Sequence, residues 1–355
     1  MKNTIAISLS GIGNTILAIP FLKNLRSTIN TEIRLVLLNA DLGKMLQDAE
    51  LIDGYYVFTK RILANIALLL KLRKQKFDYA FTVFPSNRAG FNILTFLIAA
   101  ENRVSHVFKF GFLKFDFLIN NRVEVNSAIH DLEQNLNLLG ALNSKRGNIN
   151  YDLDLKLSGD NPDVIDRYLE NKNLKNRFLV GIHPGGGGFW NKDWQGHKKR
   201  WPLERFAELS QRLIKDKDAS ILIFGGDEES SLKSRLADSI GDKTRVFIID
   251  NQPLYLAALF IKHCELFISN DTGLMHLSST LSVPTLGIFG PSNHMRTAPR
   301  GKKSSYIISK IDCAPCLKYP FYSSRSSIEC LRGLDCLKSI SVDDVYNKLR
   351  AEGLI

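Results

Sequence analysis

Asp271 stands where an apolar strand, read over 266–269, hands over to a helix read over 272–281. Free amides and the positive end of the dipole at such a junction favour an anion or a sugar polyol. An aspartate there also serves often as a plain helix cap, and the residue type alone fits both roles. Two more loops share the strand-to-loop-to-helix layout: His183-Pro184-Gly185-Gly186-Gly187-Gly188 and Gly225-Gly226-Asp227-Glu228-Glu229. In a parallel sheet all three would emerge at one edge, the usual place for a ligand in open α/β folds. Lys199 would answer a phosphate charge, while Glu228 and Asp271 would accept bonds from hydroxyls or a base edge. Carboxylates grip a bare polyphosphate poorly, so the set points to a sugar-bearing nucleotide. His183 and His276 fit structural support of these loops as well as they fit chemistry.

Other chemistries lack their residues. No GxSxG, HExxH or Walker loop occurs, so transfer driven by binding is favoured over hydrolysis. Ser10-Gly11-Ile12-Gly13-Asn14 after the first strand is a tight turn suited to close ligand approach. It has GxG without a third glycine and is not the dinucleotide fingerprint. Four of the five cysteines, Cys313, Cys316, Cys330 and Cys336, lie close together. Their first pair has metal-ligand spacing, and four thiolates suit zinc or iron. Disulfides and free thiols remain alternatives, and Cys264 reads as buried and inert.

The elements that must position these residues follow one pattern. Strands are expected at 4–9, 33–38, 79–84, 103–107 and 151–157, with helices over 15–27, 42–46, 62–72, 91–100 and 128–139. A second series starts at 178–182 and continues with strands at 220–224, 245–248, 266–269 and 285–289. The intervening helices are read from 201 to 213, after 229, and over 253–262. This alternation indicates βαβ units and parallel sheets. Residues 108–118, FKFGFLKFDFL, break it, and read as an irregular hairpin packed by phenylalanines or as an apolar, basic flap touching lipid. The domains are read as 1–160 and 175–340, with a final helix over 341–355.

At 355 residues the chain fits two domains, and its net charge is +11, seven of it in residues 1–150. That excess suits phosphorylated ligands or an anionic membrane surface; no nucleic-acid motif accompanies it, so no nucleic-acid partner is expected. The first twenty residues carry one lysine and no clean cleavage site, and read as strand and helix rather than leader. No run of apolar residues is long enough to span a bilayer. The expected location is the cytoplasm, in peripheral contact with the inner membrane.

Four stretches resemble the ADP-heptose:lipopolysaccharide heptosyltransferase family, glycosyltransferase family 9. They are GIGNTILAIPFLKNLR at 11–26, HPGGG at 183–187, KRWPLERFAEL at 199–209 and ISNDTGLMHLSSTLSVPTLGIFGPS at 268–292. The resemblance implies a GT-B fold, two Rossmann-like domains with parallel sheets facing across a cleft. The N-terminal domain would hold a lipopolysaccharide-type acceptor and the C-terminal one the donor ADP-heptose. The last helix would pack back on the N-terminal domain. Transfer would invert the anomeric centre without a cofactor. By the same resemblance Asp271, Thr272 and Gly273 contact donor sugar and phosphates, and Lys199 binds the diphosphate. Glu228 or Glu229 lies near the nucleoside, and His276 supports the loop; His183, Gly185 and Gly186 complete the donor set. One position departs: the family's proposed base, an aspartate, is replaced by Asn14, whose amide cannot take a proton as a carboxylate does. Another donor, a protein acceptor, or a non-catalytic nucleotide-sugar-binding relative are the alternatives. Some protein-glycosylating members carry an iron-binding cysteine motif, but the spacing after Cys316 does not match it clearly.

Overall fold

A computed structural model describes residues 1–86, 88–108, 114–142, 148–157, 162–186, 198–250, 252–317, 330 and 332–355. They form two compact units, one holding residues up to 157 and the other those from 162 onward. The first unit contains β1 (Lys2–Ser8), α1 (Ile12–Ile16), α2 (Ile19–Ile29), β2 (Thr31–Leu37), α3 (Ala40–Asp48) and β3 (Gly54–Val57). It continues with α4 (Ile62–Arg73), β4 (Tyr79–Thr82), α5 (Ala89–Ile98), β5 (Asn102–Val107), β6 (Asn121–Glu124) and α6 (Asp131–Asn137). Its strands are parallel in the order β3-β2-β1-β4-β5-β6.

The second unit starts with α7 (Pro162–Asn171), β7 (Phe178–His183), α8 (Leu203–Lys217), β8 (Ala219–Phe224), α9 (Ser230–Ile240) and β9 (Val246–Ile249). Then come α10 (Leu254–Lys262), β10 (Leu266–Asn270), α11 (Gly273–Thr280), β11 (Thr285–Phe289), α12 (His294–Thr297), β12 (Ser304–Ile308), α13 (Asp335–Lys338) and α14 (Val342–Ala351). The order β12-β11-β10-β7-β8-β9 is again fully parallel. Counted within its unit this is the same 3-2-1-4-5-6 winding. Central strands such as β8 are buried along their whole length, because helices cover both faces of a parallel sheet.

Several expectations change. Residues 151–157 form no strand; Lys23 holds Asp152 at 2.8 Å and the Asp154 carbonyl at 3.0 Å, so this stretch is tied to α2 rather than to the sheet. β3, β6 and β12 had no counterpart in the sequence reading; β6 is only four residues long, none of them buried. In 108–118, residues 109–113 lie outside the described residues. The rest shows a buried Phe108 and a 3-10 turn at Asp116–Leu118, with Phe115 and Phe117 exposed, and no hairpin.

The final helix also differs from the family expectation. α14 buries Val342, Val345, Tyr346 and Leu349 in the core of the second unit, with Phe206, Leu209 and Leu213 of α8. The Tyr346 hydroxyl donates to Asp216 at 2.9 Å, and the Arg212 guanidinium lies 3.7 Å from the Tyr346 ring centroid. A cation–π contact and an apolar face at helical spacing together fix it there.

Candidate functional site

β7, β8 and β10 are neighbours in the second sheet, so the loops that follow them open at one carboxyl edge. β7 and β10 flank the point where the winding reverses, which is where open α/β sheets take ligands. Asp271 is buried, and Lys199 donates to its carboxylate at 2.6 Å. Burial alone would raise the Asp271 pKa; the Lys199 charge and hydrogen bond outweigh it and hold the carboxyl below its usual value. The N-cap of α11 is Thr272, not Asp271, and no side chain caps that end. Asp271 is therefore free of the capping role and tied to the lysine.

His183 links two of the loops. Its Nδ1 lies 2.9 Å from Thr272 Oγ1 and its Nε2 lies 3.0 Å from a Glu229 carboxylate oxygen. A carboxylate only accepts, so Nε2 carries a proton and donates to Glu229. Burial alone would raise the Glu229 pKa; the bond from His183, the charges of His183 and Arg200, and the Gly226 N–H bring it down to about 2. A side chain at Gly185 would collide with Glu229 and with the His183 ring, at 1.9 and 2.6 Å from its Cβ. Glycine there lets the backbone pass over the pair.

Asn270 is the strut beneath. Its amide donates to the carbonyls of Pro184 at 3.0 Å and Gly185 at 2.8 Å, and its oxygen accepts from the Trp201 N–H at 3.0 Å. The β7 loop, the segment carrying Lys199 and the Asp271 turn are thereby joined through one buried amide. Lys233, fully buried, donates to the Gly225 carbonyl at 3.1 Å and pairs with Asp250, steadying the β8 loop.

Of the residues singled out from sequence, the structure brings together His183, Gly185, Lys199, Asp271 and Thr272, with Gly273 opening α11. Gly186 is buried beside them in the chain. His276, one turn into α11, is buried, and its Nδ1 has no hydrogen-bond partner among the described residues. Burial lowers its pKa to about 4, with Asp271 opposing and Lys199 adding to the shift. Glu228 is exposed; the acidic residue in the cluster is its neighbour Glu229. Asn270 opens one of the three loops read from sequence but had no role there, and Arg200 and Lys233 were not picked out. A polar residue closing an otherwise apolar strand was the available signal for Asn270.

Asn14 lies in the other unit, in α1 after β1, and donates to the Ser10 carbonyl at 2.8 Å. Gly11, at φ +109°, makes the turn before it, a conformation that favours glycine. The cysteines expected to hold a metal are Cys313, Cys316, Cys330 and Cys336, and residues 318–329 and 331 between them lie outside the described residues. Among the described residues, no three His, Cys, Asp or Glu side chains are gathered to hold an ion, and all the cysteines are free. Cys336 belongs to the apolar core while Cys313 is exposed. Burial, and after it the neighbouring Cys316 and Cys330 thiols, push the Cys336 thiol up to about 11. Burial also raises Cys264, whose thiol lies 3.5 Å from the Phe260 carbonyl.

The chain is similar to known proteins in sequence and in fold. The chain is 27% identical over 210 residues to lipooligosaccharide heptosyltransferase 2 of Campylobacter jejuni, a match covering 58% of this chain and 54% of that protein. The alignment thus spans about half the length of that curated relative. The fold is that of a glycosyl transferase family 9 structure from Veillonella parvula, with TM-score 0.79, 21% identity, and 99% and 97% of the two chains covered. It is also that of the E. coli ADP-heptose lps heptosyltransferase II, with TM-score 0.75, 18% identity, and 99% and 98% covered. These likenesses give the GT-B type of architecture. The family model of glycosyltransferase family 9 (heptosyltransferase) matches residues 68–323, a span taking in both the Lys199–Asp271 pair and the His183–Glu229 pair; the chain belongs to that family.

Proposed function

We propose that this protein is an inverting glycosyltransferase that moves heptose from ADP-heptose to a lipopolysaccharide core or a related lipid-linked acceptor. The observation that carries the reading is the pairing of half-buried Lys199 with buried Asp271 at the carboxyl edge of β7 and β10, beside the open amides of α11. In the transfer, an acceptor hydroxyl attacks the anomeric carbon from the face opposite the diphosphate. The bond to ADP breaks, and the charge gathering on the leaving phosphate is met by Lys199 and the first amides of α11. Asp271, Thr272 and Gly273 hold donor sugar and phosphates, Glu229 faces the nucleoside, and His276 supports the turn. The donor belongs to the domain read as 175–340 and the acceptor to that read as 1–160. The work takes place in the cytoplasm beside the inner membrane, and the chemistry needs no cofactor.

The proton of the acceptor hydroxyl has no carboxylate to receive it at position 14. Asn14 there favours a second reading, a nucleotide-sugar-binding protein that does not turn over. Calorimetric titration with ADP, ADP-heptose, UDP and UDP-glucose tests the donor, with clear preference for the adenine pair expected. Preference for uridine, or no binding at all, breaks the reading. Release of ADP only when a heptose-accepting core oligosaccharide is present separates transfer from binding alone.

A further inference from the structure

α4 carries apolar side chains on its outer side as well as its inner one. Its inner side is Leu72, with Leu68 and Leu69 half-covered, packed in a cluster with Leu94 and Ile98 of α5 and Ile5 and Ile7 of β1. Its outer side is apolar as well. Ile62, Ile66 and Leu70 recur every fourth residue and are 76%, 47% and 59% exposed, with Leu63 at 81%. A helix apolar all round belongs in a core or against a lipid phase, and this one has water on its outer side. The stripe continues over α5, where Phe96 and Leu97 are exposed and the Leu97 carbonyl accepts from Arg73 at 3.5 Å. It reaches the 3-10 turn that presents Phe115 and Phe117, fastened by Asn92 of α5 to Asp116 at 2.8 Å.

Charge around α4 is mainly positive. Residues 54–100 hold seven basic side chains and one acidic, Asp78, a net of +6 from 7 − 1, against +11 for the whole chain. Lys60 and Arg61 stand exposed at the start of α4, and Lys71, Arg73 and Lys74 at its end. An apolar stripe bracketed at both ends by cations matches a bilayer interface, with acyl chains under the stripe and anionic headgroups at the cations.

We propose that the outer face of α4, continued by α5 and the Phe115–Phe117 turn, docks on an anionic lipid bilayer and seats the first unit there. The inference rests on the lipid-linked acceptor reading for preferring a membrane to another apolar partner; exposure and charge carry the rest. No helix among the described residues is long and apolar enough to cross a membrane, and the docking proposed is peripheral.

Flotation of the full chain with mixed phosphatidylcholine–phosphatidylglycerol vesicles, without nucleotide or acceptor, tests it apart from catalysis. Binding to the mixed vesicles is expected, falling steeply with salt and on pure phosphatidylcholine. Replacing Ile62, Leu63 and Ile66 together by Gln, a good helix former, should weaken binding by at least about tenfold. Lys60→Gln and Arg61→Gln should each cost about fivefold. Nucleotide binding and the melting temperature of these variants should stay at wild-type values, because the side chains are exposed. Wild-type binding by the triple variant, equal affinity for neutral vesicles, or no binding overturns the proposal. So does sedimentation showing a wild-type dimer that the triple variant dissolves, since a second copy would then own the face. Vesicle binding by a protein that binds no ADP-heptose would leave the docking face standing and sink the transferase reading.

Discussion

The two units share one winding and differ in what they place at its reversal point. In the second, the loops after β7, β8 and β10 carry Lys199 paired to Asp271 and His183 paired to Glu229, with Asn270 bracing the β7 and β10 loops and Lys233 the β8 loop. In the first, the turn after β1 carries no ionisable side chain, and Asn14 bonds only to the local Ser10 carbonyl. The first unit spends its charge elsewhere, around an exposed apolar face. In the second, the exposed large apolar residues among those described are fewer, Val164, Met295, Tyr306 and Ile308. The same fold has thus been given a polar grip in one copy and an apolar surface in the other. Architecture supplies the edge; the residues set on it decide what it holds.

Each unit also buries a histidine whose pKa burial lowers, His106 in the first and His276 in the second, and these give the largest expected effect. Burial lowers both to about 4 from 6.5, the Gln134 carbonyl opposing at His106. Above pH 6.5 both are neutral folded and unfolded, and contribute no slope. As pH falls below 6.5 the unfolded chain takes up protons first, so each histidine costs the fold up to ~3 kcal/mol, reached near pH 4. Urea midpoints should therefore drop between pH 6.5 and 4, and a flat profile would contradict both burials. The two histidines should part company in Lys199→Ala. His276 loses a neighbouring positive charge and should titrate higher by proton NMR, while His106 stays where it was.

Asn270→Ala comes next. It strips partners from two carbonyls and one N–H around a fully buried position. Each orphaned buried group costs about 1–3 kcal/mol, so a loss of about 3 kcal/mol in the second unit is expected. Exposed pairs of the first unit, such as Arg26–Asp53, are worth well under that, and Arg26→Ala should shift stability by only about 0.5 kcal/mol. Comparable losses in the two variants would remove the distinction drawn between the units.

Lys199→Ala should weaken ADP binding by about thirtyfold, the loss of one charge-assisted contact of roughly 2 kcal/mol, read by calorimetry. Unchanged affinity would move the donor away from the Asp271 edge.

What could be seen in the chain before folding follows the range of the interactions. The strands flanking the site, β7, β8, β10 and β11, and the helices between them were legible, because their periodicity is local. The short strands β3, β6 and β12 were not, since their pairing is decided by neighbours far along the chain. The loops of the site were legible as loops, and Lys199 and Asp271 as members of it. Their mutual pairing, across 72 residues, was not. Nor was the choice of Glu229 over Glu228, which depends on how the Gly185 backbone passes the carboxylate. The last helix was legible as a helix, but its seat on α8 rests on the Tyr346–Arg212 and Tyr346–Asp216 contacts, which no periodicity displays.

A small change in stability is expected where the two units differ most. Asn14→Asp puts a carboxylate on the neutral edge without changing side-chain volume much. The present amide donates to the Ser10 carbonyl at 2.8 Å, a bond an ionised carboxylate cannot make, so about 1 kcal/mol of local stability is lost. Against that, the new group can accept the proton of an attacking hydroxyl, a function worth up to about a hundredfold or more when a base is well placed. If another group already serves as base, the rate with a defined core acceptor should stay level. If none does, it should rise. Initial rates on one acceptor decide between these. A fall of tenfold or more would mean that the Asn14 amide itself orients the acceptor, and that the neutral edge of the first unit is built for binding rather than left without its base.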